Sequence, residues 1–272
     1  CALLTQPNLT LIGEEVAEKK LTLRQITASL ADLIEKRGNK GKNYGVILIP
    51  EGIIEFIPEM KTLISELNGL LAEGKGQESL TKEAQETFHF LPKEIGEQLL
   101  LDRDPHGNVQ VSHIQTEILL STLVKEELKN RSSFKGKFSP VHHFFGYEGR
   151  AGLPTNFDAT YCYTLGHIAA LLIQGGHTGY MCAVNGLAKP AAEWEIFALP
   201  ITSLMNIERR KGKDKPVIRK ALVDLKGAPF KCFERQRIKW MEEDHYLYPG
   251  PIQFEGGGEL TDLPPKSLIV TS

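Results

Sequence analysis

Tyr44-Gly-Val-Ile-Leu-Ile49 is a short, continuous apolar run that stops at Pro50-Glu51-Gly52. A run of this length, bounded by turn residues, reads as a strand buried on both faces, the pattern of a parallel sheet. Helical periodicity takes over from about Pro58 to Leu71, where Met60, Leu63, Ile64, Leu67 and Leu71 share one face. Strand, loop and helix in that order make half of a βαβ unit. Upstream, Thr22 to Arg37 spells another helix. Thr22 and Gln25 have capping-box spacing. Leu23, Ile26, Leu30, Leu33 and Ile34 line one face, Lys36 and Arg37 suit the negative end of the helix dipole, and Gly38 suits the C-cap.

Downstream, residues 74–140 are charged, amphipathic and helical in pattern, broken by the turn-rich Asp102-Arg-Asp-Pro-His-Gly-Asn108. Ser112 to Asn130 reads as one helix, with Ser112 and Gln115 as its cap pair, and 74–112 as a largely peripheral insertion. Val141-His-His-Phe-Phe145 reads as a second buried strand, followed by Gly146-Tyr147-Glu148-Gly149-Arg150-Ala-Gly-Leu-Pro154. A helix then runs from Asn156 or Phe157 to Gln174, where Gly175-Gly176 stops it. Tyr180-Met-Cys-Ala-Val184 is a third apolar strand. The alternation predicts an α/β fold with a parallel sheet covered on both faces. From residue 185 onward the pattern is mixed, with Trp194, Trp240, a basic stretch at 209–220 and a glycine-rich end, Gly256-Gly-Gly258.

The chain has 272 residues, enough for one large domain or two small ones. Its 32 Lys and Arg against 34 Asp and Glu leave a formal charge of −2, which excludes a general nucleic-acid binder. No apolar run reaches the ~18–20 residues of a membrane span. Cysteines 1, 162, 182 and 232 form no CxxC pair and point to a reducing compartment. Cys162 and Cys182, in apolar context, are expected in the core. Cys1-Ala-Leu-Leu-Thr-Gln-Pro7 reads as the tail of a helix arriving at a turn. No basic segment precedes it, so it is not a secretory signal, and the chain is expected to be a fragment.

Ligands of open α/β sheets bind beyond the carboxyl ends of the strands. Two loops qualify. Glu51 stands at the first, where a carboxylate can accept hydrogen bonds from neighbouring sugar hydroxyls or, alternatively, serve the dipole of the next helix. In the second, Arg150 can grip a phosphate bidentately and Tyr147 can add a hydroxyl to the same anion. Gly146, Gly149 and Gly152 let backbone approach closely. The competing reading is a solvated loop with an exposed arginine. The histidines lack metal-ligand spacing, and adjacent His142 and His143 would face opposite sides of a strand. Arg209, Arg210, Lys211, Lys213, Lys215, Arg219 and Lys220 read as a solvated face rather than the rim of an anionic cleft.

Ile49-Pro-Glu-Gly-Ile-Ile-Glu-Phe-Ile-Pro58 and Phe145-Gly-Tyr-Glu-Gly-Arg-Ala-Gly-Leu-Pro-Thr-Asn-Phe-Asp158 resemble the pyrophosphate-dependent phosphofructokinases, in their long, plant-like branch. Tyr163-Thr-Leu-Gly-His167 fits as well. The resemblance implies a phosphofructokinase-like, three-layer α/β/α fold with a parallel sheet and a helical insertion. It implies a fructose 6-phosphate-binding domain of 1–73 and 113–206, a mainly helical insertion at 74–112 and a C-terminal extension at 207–272. Glu51 would contact the sugar, and Tyr147, Glu148, Gly149 and Arg150 would form the loop that holds its phosphate. Mg2+, a homo- or hetero-oligomer and a cytoplasmic, glycolytic setting are implied too, with neither nucleic acid nor membrane as partner.

That family also carries Gly-Gly-Asp-Asp for the phosphoryl donor and metal, Thr-Ile-Asp-Gly-Asp for the catalytic base, and Met-Gly-Arg for the sugar phosphate. None of the three occurs here. The chain therefore resembles the C-terminal half of such an enzyme, with no catalytic residue or metal ligand of its own. Phosphoryl transfer needs donor, metal and base in line with the attacking hydroxyl, so the chain alone is expected to be inactive. An ATP-dependent relative and a non-catalytic regulatory subunit of the same family are the alternatives.

Overall fold

The computed structural model describes residues 1–101, 109, 114–146, 148–149, 152–210, 213–218, 221–247 and 262–271. They form two units, Cys1–Phe144 with Phe233–Leu247, and Phe145–Cys232 with Tyr248–Ser272. Helix and strand are mixed throughout. No described helix is long and apolar enough to cross a membrane.

The first unit opens with α1 (Ala2–Thr5), β1 (Leu9–Thr10), α2 (Gly13–Glu18) and α3 (Leu23–Gly38). The capping box of α3 is complete, with Gln25 N donating to Thr22 Oγ1 at 3.2 Å and Thr22 N donating to Gln25 Oε1 at 2.9 Å. After β2 (Ile47–Leu48) come a short 3-10 turn at Ile53–Phe56 and α4 (Pro58–Ala72). Proline begins α4, where its missing N–H breaks no helical hydrogen bond. Next are α5 (Lys82–Phe90), α6 (Lys93–Leu101) and α7 (Thr116–Lys129). Leu23 and Ile26 of α3, Met60, Leu63 and Leu67 of α4, and Leu119 and Leu120 of α7 are fully buried in one core. Each such side chain contributes about 1.5–3 kcal/mol. The helices of 82–101, expected at the periphery, bring Ala84, Ile95 and Leu99 into that core.

Two strands differ from expectation. The 44–49 run is strand only at Ile47–Leu48, paired parallel with Leu9–Thr10. Its lead-in is held by both backbone and side chain, as Val46 O accepts from Leu9 N at 3.3 Å and Asn8 Oδ1 accepts from Val46 N at 3.0 Å. Val141–Phe144 contains no strand. Val141 is 78% exposed and Phe145, just beyond, 67%, and no described strand lies against the segment to pair with it. The cap expected at Ser112 lies outside the described residues. The helix begins at Thr116, after Gln115, whose side chain makes no capping bond.

A later helix, α9 (Ala228–Glu242), belongs to the first unit from Phe233 on, where Phe233 and Trp240 are buried. Arg237 makes a bidentate pair with Glu15, 2.6 and 2.8 Å, and Lys19 adds a third contact at 2.6 Å. Asn8 Nδ2 donates to Trp240 O at 3.0 Å and to Glu243 O at 3.3 Å. Burial disfavours the ionised form of Glu15, but hydrogen bonds from Arg237 and Lys19 outweigh it and hold the carboxyl below its ordinary value. A carboxyl whose folded pKa lies below its unfolded one contributes stability above the unfolded value and loses it as pH falls through the folded one. The thermal midpoint is therefore expected to drop on acidification below about pH 4. Glu15→Gln should remove part of that drop in melting curves collected between neutral and acid pH. A superimposable pH profile would count against the pair.

The second unit contains α8 (Asn156–Gln174) and two antiparallel hairpins, β3 (Tyr180–Asn185) with β4 (Glu195–Pro200), and β5 (Met205–Arg210) with β6 (Lys213–Ile218). Thr155 caps α8 by accepting from Asp158 N at 3.0 Å. Gly176, at φ 72°, takes the left-handed turn after the helix that a side chain would resist. The strand expected at 180–184 is present, but its partner is antiparallel. The turn at Gly186, φ 73°, sends the chain back beside itself, so no helical crossover intervenes. Cys162 is exposed on α8 and Cys182 half-buried, unlike the core positions expected of them.

Candidate functional site

Glu51 sits in the turn between β2 and the 3-10 helix. Ile53 N donates to Pro50 O at 3.1 Å, and Ile53 and Ile54 are buried, so the turn is anchored on its downstream side. The backbone oxygen of Glu51 accepts from Thr116 Oγ1 at 3.4 Å, a contact made by a buried threonine at the start of α7. Its side chain is exposed. Among the described residues the carboxylate takes no hydrogen bond or ion pair. The alternative role, serving the next helix dipole, falls instead to Glu59 in the first turn of α4, which also accepts from Leu23 N at 2.8 Å. Glu51 is thus a carboxylate fixed by its backbone and open at its side chain.

Of the second loop, Tyr147 and Arg150 lie outside the described residues. Glu148 is exposed. Gly149 N donates to Phe145 O at 3.0 Å, closing a turn round the segment. A Cβ at Gly149 would lie 2.6 Å from that same oxygen, so the turn requires glycine for space. Phe145, Gly146, Glu148 and Gly149 share this turn in the second unit, and Glu51 belongs to the first.

A cleft of about 370 Å³, absent from the sequence reading, lies within the second unit. Asn156, Phe157, Thr160, Lys189, Trp194 and Asp262 line it. Asn156 Nδ2 donates to Asp262 Oδ1 at 2.6 Å, and Trp194 Nε1 donates to Lys189 O at 2.9 Å. Phe157, Tyr161 and Trp194 meet edge-on or stacked, at ring separations of 5.9–6.2 Å. The legible signal was Trp194 alone, since its aromatic partners come from a helix about 35 residues earlier.

Among the described residues no three His, Cys, Asp or Glu side chains group as metal ligands. His142 Nε2 instead lies 2.8 Å from Ser121 Oγ. Of the basic cluster, Lys215 is exposed, and Lys211, Arg219 and Lys220 lie outside the described residues.

No family model matches the chain. Whole-sequence similarity is extensive. Over 267 residues the chain is 56% identical to pyrophosphate–fructose 6-phosphate 1-phosphotransferase subunit beta 2 of Arabidopsis thaliana, covering 95% of this chain and 47% of that protein. It is 48% identical over 284 residues to the pyrophosphate–fructose 6-phosphate 1-phosphotransferase of Entamoeba histolytica, covering 99% and 52%. Against subunit alpha of the Solanum tuberosum protein the identity is 39% over 284 residues, covering 99% and 46%. The chain spans about half the length of the curated relatives it matches. With about half of all positions identical along nearly its entire length, the chain belongs to the pyrophosphate–fructose 6-phosphate 1-phosphotransferase family.

Proposed function

We propose that this chain is the C-terminal, sugar-phosphate-binding part of a pyrophosphate-dependent 6-phosphofructokinase, which moves a phosphoryl group reversibly between pyrophosphate and the C1 oxygen of fructose 6-phosphate. The observation that carries it is 56% identity across 95% of the chain to a protein named for that reaction. Glu51 accepts hydrogen bonds from sugar hydroxyls, and its anchored backbone with an open carboxylate supports that role. Arg150 forks onto the 6-phosphate, Tyr147 donates its hydroxyl to it, and Glu148 and Gly149 shape the loop. These groups position the acceptor, and positioning alone does not activate its C1 hydroxyl. The catalytic base is proposed to lie in the rest of the protein. Mg2+ in the complete enzyme neutralises charge on the phosphoryl donor, with ligands supplied from outside this chain.

The proposed architecture is a three-layer α/β/α fold with a parallel sheet. The sugar-phosphate domain is drawn from 1–73 and 113–206, with a helical insertion at 74–112 and an extension at 207–272. The working protein is proposed to be a cytoplasmic oligomer, consistent with relatives named as alpha and beta subunits. A regulatory subunit of the same family is the second reading, and the presence of Glu51, Tyr147 and Arg150 together favours the catalytic kind.

An assay of fructose 1,6-bisphosphate formation decides between them. The complete protein should form product with pyrophosphate and Mg2+, and the 272-residue chain alone should form none. Product with ATP only would replace the donor, no product with either would favour the regulatory subunit, and turnover by the isolated chain would overturn the division of labour. Within the complete protein, Gly149→Ala pushes the Phe145 carbonyl out of its turn. Crowding of this kind costs about 1–3 kcal/mol. The variant is expected to raise KM for fructose 6-phosphate about tenfold or more, with KM for pyrophosphate unchanged.

A further inference from the structure

α8 has no charged stripe along its length. Of its 19 residues, Asp158 is the one that carries a full charge. A helix at a free surface has a polar stripe opposite its buried one, and a helix apolar all round belongs inside a protein. Here Phe157 and Ile168 are its buried residues, and it packs against β3 and β4. On the opposite side Tyr163, Gly166, Ala170 and Ile173 follow at spacings of three, four and three, and so form one ridge. Tyr163 is 70% exposed, Ile173 76% and neighbouring Leu171 61%. A Cβ added to Gly166 would meet nothing within 4 Å. A mid-helix glycine weakens a helix, and on an open face it gains no close approach in return.

Among the described residues of the second unit, Tyr180, Met181 and Ile196 of the hairpin are exposed as well. A second copy of this chain would bring a unit with the same exposed residues. The relatives, by contrast, carry about as much chain again as the part matched here. Resting on the reading that this chain is part of such a protein, we propose that the ridge Tyr163–Gly166–Ala170–Ile173 is an internal seam, covered in the complete protein by an apolar surface of the polypeptide outside these 272 residues. Gly166 and Ala170 admit that surface close to the helix backbone, and Tyr163 and Ile173 flank it.

Hydrogen exchange read by mass spectrometry tests the seam. Amides 163–173 are expected to exchange about 100-fold more slowly in the complete protein than in the dilute 272-residue chain. Gly166→Leu should lower the thermal midpoint of the complete protein and leave that of the 272-residue chain unchanged or higher. Equal exchange in both proteins overturns the proposal. So does protection already present in the dilute chain, which would place the cover within it. Protection that grows with chain concentration alongside a dimer in sedimentation would name a second copy instead, and overturns it too. The phosphotransferase assay on the same complete protein separates the two readings. Activity with pyrophosphate but an unprotected α8 sinks the seam alone, and a protected α8 without activity sinks the functional reading alone.

Discussion

Arg37→Ala should lower the thermal midpoint of the chain by about 6–12 °C, given about 2–4 °C per kcal/mol for a protein of this size. The side chain is buried at the end of α3, and its guanidinium makes five hydrogen bonds, among them Nε to Tyr44 O at 3.4 Å and Nη1 to Met241 O at 3.5 Å. Nη2 donates to Asp244 Oδ1 at 2.7 Å and to Tyr44 O at 3.2 Å, and Nη1 donates to Glu242 O at 3.1 Å. Glu242 O is one of the carbonyls that the end of α9 leaves without a helical partner. Arg37 therefore caps α9 from another helix and also places positive charge at its negative pole. Hydrogen bonds from Lys42, Arg37 and Tyr44 hold the Asp244 carboxyl well below the usual carboxylate range, so the partner stays ionised at neutral pH. Removing a buried guanidinium strands these acceptors at a cost of about 3 kcal/mol, discounted for the partial exposure of Asp244. Arg37→Lys keeps the charge but loses the fork, and should fall between the two. A shift of under about 2 °C by circular dichroism would remove Arg37 from this role.

The second large effect is on ligand binding. Arg150→Ala in the complete protein should weaken fructose 6-phosphate binding by about 30–150-fold in calorimetry, the loss of a charge-assisted contact of about 2–3 kcal/mol. The proposal assigns the guanidinium to the phosphate and the Glu51 carboxylate to the hydroxyls, so the two substitutions should separate. Arg150→Ala should leave the weak binding of unphosphorylated fructose untouched, and Glu51→Ala should reduce it. Arg150→Lys should recover part of the loss, since a point charge still attracts phosphate but cannot match two of its oxygens. Unchanged affinity in Arg150→Ala would take the residue out of the site.

Local chemistry was legible in the sequence wherever it acts within a few residues. The Thr22–Gln25 box, the buried face of α4 and the Gly175-Gly176 stop of α8 all depend on neighbours one turn away. Long-range chemistry was not. Arg37 reads as a residue suited to the dipole of its own helix, yet its partners lie up to 207 residues further on. The 180–184 run reads as a parallel strand because an apolar pentapeptide does not encode the direction of its partner, and the turn at Gly186 decided that. Val141-His-His-Phe-Phe145 has the composition of a buried strand, but burial also needs something to lie against it. For the site, the strand-end position of Glu51 and the need for glycine at 149 were both readable, because each is a property of a short loop. Arg150 and Tyr147 rest on sequence alone.

Asn8 ties the lead-in of β2 to the carbonyls of Trp240 and Glu243, more than 230 positions away in the chain. That knot has a consequence for biosynthesis. At ~5–20 residues per second, a ribosome that has already released the β1–β2 edge needs roughly 10–40 s to deliver the partners that fasten it. For that interval the β1–β2 edge waits half-made, and a nascent-chain chaperone that shields residues 8–48 would act in the window the amide of Asn8 leaves open.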